Sequence, residues 1–75
     1  MKPTPAFPSR IGSALKRRRD FLDITQQKVA AEVGMERSYY SDIERGLKRI
    51  RIDTLEKICL ALQSRPWEIL KDADR

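Results

Sequence analysis

The side chains best suited to chemistry in this sequence stand together in one short segment. Arg37, Ser38 and Ser41 are forked or short hydrogen-bonding groups, and Tyr39 adds a ring with a hydroxyl. Such a set is unlike the mixture of Glu and Lys that usually covers the exposed side of a helix. Such groups can reach the edges of bases, and an arginine can contact guanine O6 and N7 with two hydrogen bonds. We therefore predict that these four residues read base edges or line the groove that displays them.

Cations follow this segment directly. Lys48, Arg49 and Arg51 lie in a short stretch between two apolar segments, and cations beside a reading element typically contact phosphates. The net charge of +5 and the isoelectric point of about 9.8 favour a polyanionic partner. Charge alone is weak evidence, because many basic domains bind nothing acidic. Taken with the preceding segment, it predicts double-stranded DNA as the partner.

The composition excludes several kinds of site. The 75 residues include one cysteine and no histidine, so the chain cannot close an internal disulfide, assemble a Cys/His zinc site or use histidine in catalysis. We expect no metal, no cofactor and no enzymatic activity. Cys59 lies in an apolar helical run and is interpreted as a small buried hydrophobe. Without a long apolar run or a signal peptide, the chain is predicted to be cytoplasmic and to have no membrane partner.

Caps and apolar spacing indicate the elements that position these residues. The segment 1–8 holds three of the four prolines and is predicted to be a disordered or extended tail, followed by one domain over residues 9–72. Ser9 is the predicted N-cap of a first helix that reaches about Leu22. The four cations from Lys16 to Arg19 cannot share one face of that helix. Most of them must therefore be solvated, and at least one can turn inward.

Two short helices joined by a tight turn carry the reading segment. Thr25 is the predicted cap of the second helix, and Gly34 ends it in a left-handed conformation that favours glycine. The third helix is predicted from about Arg37 to Arg45, with Glu36 at its cap position. So few residues join these helices that they cannot form an antiparallel hairpin and must cross steeply. The residues of this region predicted to face the core are Tyr40, Ile43 and Leu47.

A carboxylate on the third helix needs a separate explanation. Asp42 would repel phosphate unless it accepted a hydrogen bond from a cytosine amino group or a neighbouring cation. Arg45 and Lys48 are both within reach in the sequence. We favour an ion pair that orients a cation over direct reading of a base.

The remaining chain predicts two more helices. Asp53 and Glu56, three residues apart, resemble a capping box for a fourth helix that reaches Leu62, and Pro66 fits the first position of a short fifth helix. With no β-type alternation in the sequence, the predicted fold is all-α with five helices. Apolar periodicity alone fits a generic basic bundle equally well. The steep crossing and the polar face of the third helix favour nucleic-acid binding over that reading.

Residues Ile11 to Leu70 resemble the helix-turn-helix domains of the lambdoid phage repressor and Cro family. The run from Arg37 to Gly46, followed by Asp53 to Ile58, is especially similar to the controller proteins of restriction–modification systems and to small stand-alone repressors. The resemblance implies a five-helix fold and a sequence-specific transcriptional regulator that binds operator half-sites in the major groove. It leaves the operator and the sign of regulation open.

The resemblance also implies roles for individual residues. Thr25 and Gln26 match the start of the second helix, which contacts phosphate through side chains and backbone N–H groups, and Lys48 and Arg49 match loop positions that contact phosphate. Arg19 and Glu44 match a half-buried salt bridge between the first and third helices; the alternative is two solvated charges. Tyr39 can bind a phosphate or pack on a thymine methyl, or it can simply cover the core.

Oligomeric state and regulation follow from the same comparison. One domain of this size covers about one half-site, so specific binding is expected from a homodimer. In the resembling proteins the last two helices often supply the dimer contact, which is assigned here to Trp67, Ile69 and Leu70, although Trp67 could instead cap the core. No room remains for an effector-binding domain, so no small-molecule effector is expected. The alternative function is an antitoxin or a protein-interaction module with the same fold.

Overall fold

The computed structural model describes residues 5–74. Within this range it contains five helices and no strand, which confirms the predicted fold class. None of the helices in this range is long and apolar enough to cross a membrane. In chain order the helices are α1 (Phe7–Leu22), α2 (Gln26–Val33), α3 (Arg37–Glu44), α4 (Ile52–Ala61) and α5 (Pro66–Ala73).

All five helices contribute to one core. Helix α1 packs on both α3 and α5, while α2 packs on α3 and α4. Burial of each large apolar side chain contributes about 1.5–3 kcal/mol, so this core holds α3 firmly from its inner side. Its largest fully buried side chains are Leu15, Val29, Tyr40, Ile43, Ile58, Cys59 and Leu62.

The turn between α2 and α3 forms as the sequence predicts. Thr25 caps α2, its hydroxyl oxygen accepting from the backbone N–H of Lys28 at 3.1 Å. Gly34 ends the helix with φ of 83°, and its N–H donates to the carbonyl of Ala30 at 2.9 Å. A Cβ at Gly34 would meet nothing within 4 Å, so glycine is favoured there by backbone conformation and not by space. Only residues 34–36 separate α2 from α3.

The start of α1 differs from the sequence prediction. The helix begins at Phe7 with Ala6 as its N-cap, so the prediction that Ser9 caps it is wrong. Pro8 occupies the first turn, where its missing N–H needs no partner. Phe7 and Pro8, assigned from sequence to the tail, are therefore helical, while the predicted tail at residues 1–4 lies outside the described residues.

Two predictions around the loop after α3 are also wrong. Helix α4 begins at Ile52 with Arg51 as its N-cap, and Asp53 makes no capping box: its carboxylate accepts from the adjacent backbone N–H, that of Thr54, at 3.0 Å. Leu47 is 60% exposed and does not follow α3 inward. The left-handed Gly46, with φ of 78°, turns the chain away from the helix axis, so helical spacing no longer predicts which residue faces the core. Ile50 packs against the core instead.

Candidate nucleic-acid interface

The reading candidates lie on the outward side of α3. Arg37, Ser38 and Tyr39 are exposed, and Ser41 is half-buried. The opposite side of the helix is anchored by Tyr40, which is fully buried. The N-terminal half of α3 is thus presented to solvent with its polar side chains outward, as a helix that enters a major groove requires.

A buried ion pair joins α1 to α3 behind this surface. The Nε of Arg19 donates to Oε2 of Glu44 at 2.8 Å and its Nη2 donates to Oε1 at 3.1 Å, while Nη1 donates to the carbonyl of Ile24 at 3.0 Å. The two charged side chains are only 12% and 3% exposed. This arrangement is the salt bridge between the first and third helices that the resemblance implies, more deeply buried than expected, and not two solvated charges.

The ion pair determines the ionisation of Glu44. Burial of the carboxylate opposes its ionisation, but hydrogen bonds from Arg19 and Gln26 outweigh that effect and hold the pKa of Glu44 below its ordinary value. The hydrogen bond to Glu44 correspondingly raises the pKa of Arg19. The Tyr40 hydroxyl is buried close by without a partner in hydrogen-bond geometry, and burial raises its pKa strongly.

The pair continues outward through Gln26 to the reading surface. The side-chain amide nitrogen of Gln26 donates to Oε1 of Glu44 at 3.0 Å. Its amide oxygen accepts from Nη1 of Arg37 at 3.3 Å. Sequence reasoning missed these contacts, because nothing in the sequence indicates that Gln26 on α2 meets both ends of α3.

The loop cations and α2 provide the surroundings that a phosphate backbone would meet. Lys48 and Arg49 are exposed, and the ammonium of Lys48 lies 5.5 Å from the centre of the Tyr39 ring, within the range of a cation–π contact. The first N–H groups of α2 have no partner inside the helix, and the Thr25 hydroxyl at that end still has its proton to donate. The positive end of the helix dipole favours an anion there.

Asp42 is paired with a cation. Its carboxylate lies 3.7 Å from Nη1 of Arg45, one helical turn away. Arg45 is one of the two cations, Arg45 and Lys48, that the sequence offered as partners of Asp42. Since Arg45 is largely exposed, the contact mainly neutralises a charge that would otherwise repel phosphate.

The cations of α1 are engaged in the fold. Arg17 pairs with Asp72 at 3.0 Å, Arg18 donates to the carbonyl of Leu62 at 3.0 Å, and Arg10 donates to that of Ala73 at 3.0 Å. These carbonyls lie at the ends of α4 and α5, which carry the negative end of each helix dipole. Lys16 and Arg19 also have acidic partners. Lys16 and Arg17 stay more than half exposed while Arg19 turns inward, as predicted, but the solvated cations also make contacts that the sequence did not indicate.

The predicted dimer residues divide into two groups. Trp67 is 61% exposed and Leu70 is 37% exposed, but Ile69 is 3% exposed and belongs to the core. The assignment of Ile69 to the dimer surface is wrong. The sequence shows that this side chain is apolar but not whether it faces the core or the solvent, and it has almost no exposed surface for a partner.

An apolar groove adjoins Leu70. It has a volume of about 930 Å³, and Ile52 at its edge is 87% exposed. Sequence reasoning missed this groove because it gave Ile52, just before the predicted cap Asp53, no role. The apolar side chains that line it are Phe7, Pro8, Ile11, Ile50, Ile52, Leu55, Pro66 and Leu70, and the charged ones are Arg49, Arg51, Asp53 and Glu56.

Two observations bear on other chemistry. No group of three or more His, Cys, Asp or Glu side chains among the described residues is arranged to hold a metal ion. Cys59 is fully buried, and burial raises the pKa of its thiol to about 11. That thiol is therefore protonated and inaccessible at neutral pH.

Comparison with known proteins decides the family. Residues 15–70 match the helix-turn-helix family model, and this range includes α2, α3 and the turn between them. The chain belongs to the helix-turn-helix family. The resemblance identified from the residues is confirmed, and the family is one of DNA-binding regulators of transcription.

Individual relatives agree with this assignment. The control protein C.MunI of Mycoplasma sp. is 34% identical over 67 residues, which cover 88% of this chain and 90% of the relative. The clp gene regulator ClgR of C. glutamicum superposes with a TM-score of 0.95 at 27% identity, covering 99% of this chain and 95% of that protein. The restriction–modification controller protein C.Esp1396I, solved as a tetramer with its natural 35 base-pair operator, superposes with a TM-score of 0.81 at 26% identity, covering 96% of this chain and all (100%) of that protein.

Proposed function

We propose that this helix-turn-helix protein regulates transcription by binding operator DNA as a homodimer, with α3 of each protomer in the major groove. The observation that carries the proposal is the outward face of α3, where Arg37, Ser38 and Tyr39 are exposed while Tyr40 and Ile43 anchor the helix from behind. In this arrangement Arg37 contacts a base edge, with Ser38 and Ser41 beside it.

Phosphate contacts would frame this reading face on both sides. The N-terminus of α2, with the Thr25 hydroxyl, meets the backbone on one side. Lys48 and Arg49 meet it on the other, with Tyr39 supporting the ammonium of Lys48. The cations of α1 contribute little to this contact, because they are held by Asp20, Asp72 and the carbonyls that end α4 and α5.

The groove beside Leu70 supports a second copy of the chain as the dimer partner. Its wall is apolar and its charged residues are of both signs, two arginines and two carboxylates. Such a surface is self-complementary across a two-fold axis, since Arg51 of one copy can meet the carboxylates of the other, which leaves Arg49 to the phosphate backbone. Exposed Ile52 and Trp67 enlarge the apolar area that the partner would cover.

Selection of bound sequences from a random DNA pool tests the proposal. We expect a two-fold symmetric site with half-sites about one helical turn apart. If a dimer neutralises about six phosphates, the slope of log affinity against log salt should lie near −5. A slope near zero, or a pool that shows no enrichment at any salt concentration, would contradict DNA binding. Enrichment of a single half-site by a protein that sediments as a monomer would contradict the dimer alone.

A further inference from the structure

We infer that Gly12 is a positioning residue for base reading: because it has no side chain, α1 lies directly against the C-terminal end of α3 and sets the position of the reading face. Gly12 is buried in the second turn of α1. A Cβ at this position would lie 2.5 Å from the carbonyl oxygen of Ile43 and would overlap the carbonyl oxygen of Glu44. The inference rests on the proposed function, in which α3 enters the major groove.

Space, and not backbone conformation, requires glycine at position 12. Gly12 lies inside a helix, where glycine is less favourable than alanine by roughly 0.5–1 kcal/mol. The atoms that a side chain would meet belong to the backbone, since the carbonyl carbon of Glu44 would lie 2.7 Å from the Cβ. Backbone atoms cannot turn aside as the end of a flexible side chain can. A side chain at position 12 would therefore displace α3 relative to α1.

Two further contacts connect α1 to the same end of α3. The Nε of Arg19 donates to Oε2 of Glu44 at 2.8 Å. Just beyond the helix, Gly46 passes so close to α1 that a Cβ there would lie 2.6 Å from the Cα of Ser9. Together with the contact at Gly12, these place α1 as the support of the C-terminal end of α3.

The reading side chains and the phosphate contacts stand on different elements. Ser38 and Ser41 are on α3, whereas the Thr25 hydroxyl belongs to the start of α2, which packs on α4 as well as on α3. Ordinary contact begins at 3.4 Å, so a Cβ at position 12 requires a shift of about 1 Å. Hydrogen bonds to base edges weaken steeply over such a distance, while long lysine and arginine side chains can still follow a phosphate.

The test compares Gly12→Ala with the matched control Ser13→Ala, the next residue of α1, whose side chain is exposed. The probes are the duplex selected from the random pool and a random duplex. We expect Gly12→Ala to lower the ratio of the two affinities by about tenfold, which corresponds to the loss of one good base contact. The salt slope should stay unchanged because the phosphate contacts remain. Ser13→Ala should behave as the wild type.

Ile58→Val separates a displaced helix from a less stable protein. Ile58 is fully buried on α4, a helix that packs on α2 and α5, and the loss of one buried methylene should lower the melting temperature. Lower stability alone does not change the affinity of the molecules that remain folded. With binding measured well below both melting temperatures, Ile58→Val should therefore keep the wild-type ratio while Gly12→Ala does not.

Each outcome decides the matter. An unchanged ratio for Gly12→Ala in a protein that selects a sequence would overturn this inference alone. Equal weakening on both duplexes with a shallower salt slope would overturn it too, because phosphate contacts would then be lost. If Gly12→Ala is unfolded in buffer, the measurement is repeated in trimethylamine oxide, which favours the compact state; failure to fold there would make Gly12 a requirement of the fold only and overturn the inference. A wild-type protein without any sequence preference would overturn the proposed function first, and this inference with it.

Discussion

The guanidinium of Arg19 and the carboxylate of Glu44 form a two-point hydrogen-bonded ion pair where α1 meets α3. Their closest atoms are 2.8 Å apart, and Glu44 is 3% exposed. A charge so well removed from water depends on its partner. The pair therefore fixes the position of α3 relative to α1 more strictly than apolar contacts alone.

Loss of this carboxylate should destabilise the protein markedly. Glu44→Ala leaves the nearly buried guanidinium of Arg19 without its main partner, and we expect it to lower the free energy of unfolding by about 3 kcal/mol. Replacing both residues, as Arg19→Met with Glu44→Leu, should cost less because no charge remains buried. Denaturant melts of the three proteins measure this. Glu32→Ala, which removes an exposed carboxylate from α2, should leave the midpoint unchanged; equal midpoints for Glu44→Ala and wild type would show that the buried pair contributes nothing.

The same pair predicts how stability responds to acid. The pKa of Glu44 is below its ordinary value in the folded protein, so its ionisation stabilises the fold. That contribution is complete above the ordinary pKa of the carboxyl in the unfolded chain, 4.5, and is lost as pH falls through the lower folded pKa. Denaturant midpoints measured from pH 6 to pH 3 should fall most steeply at the acidic end. Glu44→Gln should start lower and fall less; a parallel decline in both proteins would assign the acid sensitivity to other carboxylates.

Arg37 and Lys48 should separate reading from anchoring. Arg37→Ala should lose about 1–3 kcal/mol on the selected operator and lose discrimination at one base pair per half-site, with little loss on random DNA. Lys48→Ala should weaken both DNAs alike and make the salt slope shallower by about one unit per lost contact. Binding isotherms at several salt concentrations measure both effects. If Arg37→Ala weakened both DNAs in proportion, base reading would pass to Ser38, Tyr39 or Ser41.

The groove gives the dimer a sharp test. Ile52→Glu places a carboxylate in the apolar contact, and we expect it to raise the dissociation constant of the dimer by about tenfold or more. Leu60→Glu is the matched control, since Leu60 is also on α4 and is 65% exposed but does not line the groove. Sedimentation at several concentrations reports both. Dissociation caused by Leu60→Glu and not by Ile52→Glu would place the partner on the other side of α4.

Local chemistry made much of this fold predictable. Some signals act within four residues of the backbone that they control. They are Thr25 as a cap, Gly34 as a left-handed terminus and Pro66 in a first turn. The long motif then indicated the family, and the short connection between α2 and α3 predicted that they cross steeply. The start of α1 was missed because two criteria competed, and proline in the first turn outweighed a serine cap at position 9.

Contacts between distant residues could not be predicted in this way. The Arg10 side chain donates to the carbonyl of Ala73, 63 positions away in the sequence. Arg37 donates to Gln26 across the turn between α2 and α3. Neither partner carries a local sign of the other. Ile69 shows the same limit at the dimer surface, since two of its neighbours on α5 are exposed and it is not. The packing partners of a short helix decide which of its side chains face the core, and a single sequence does not show those partners.

The arginines of α1 stabilise the fold and are separate from the proposed DNA-reading residues, so the two sets can change independently as the sequence diverges. Arg10, Arg17, Arg18 and Arg19 hold helices together, whereas the proposed readers stand on α3, so the two groups share no member. New operators can then be acquired by exchanging Arg37, Ser38 and Ser41 while the scaffold keeps its folding free energy. Gln26 contacts Arg37 and is linked to Arg19 through Glu44, so a graft of another reading face must bring its own partner for position 26.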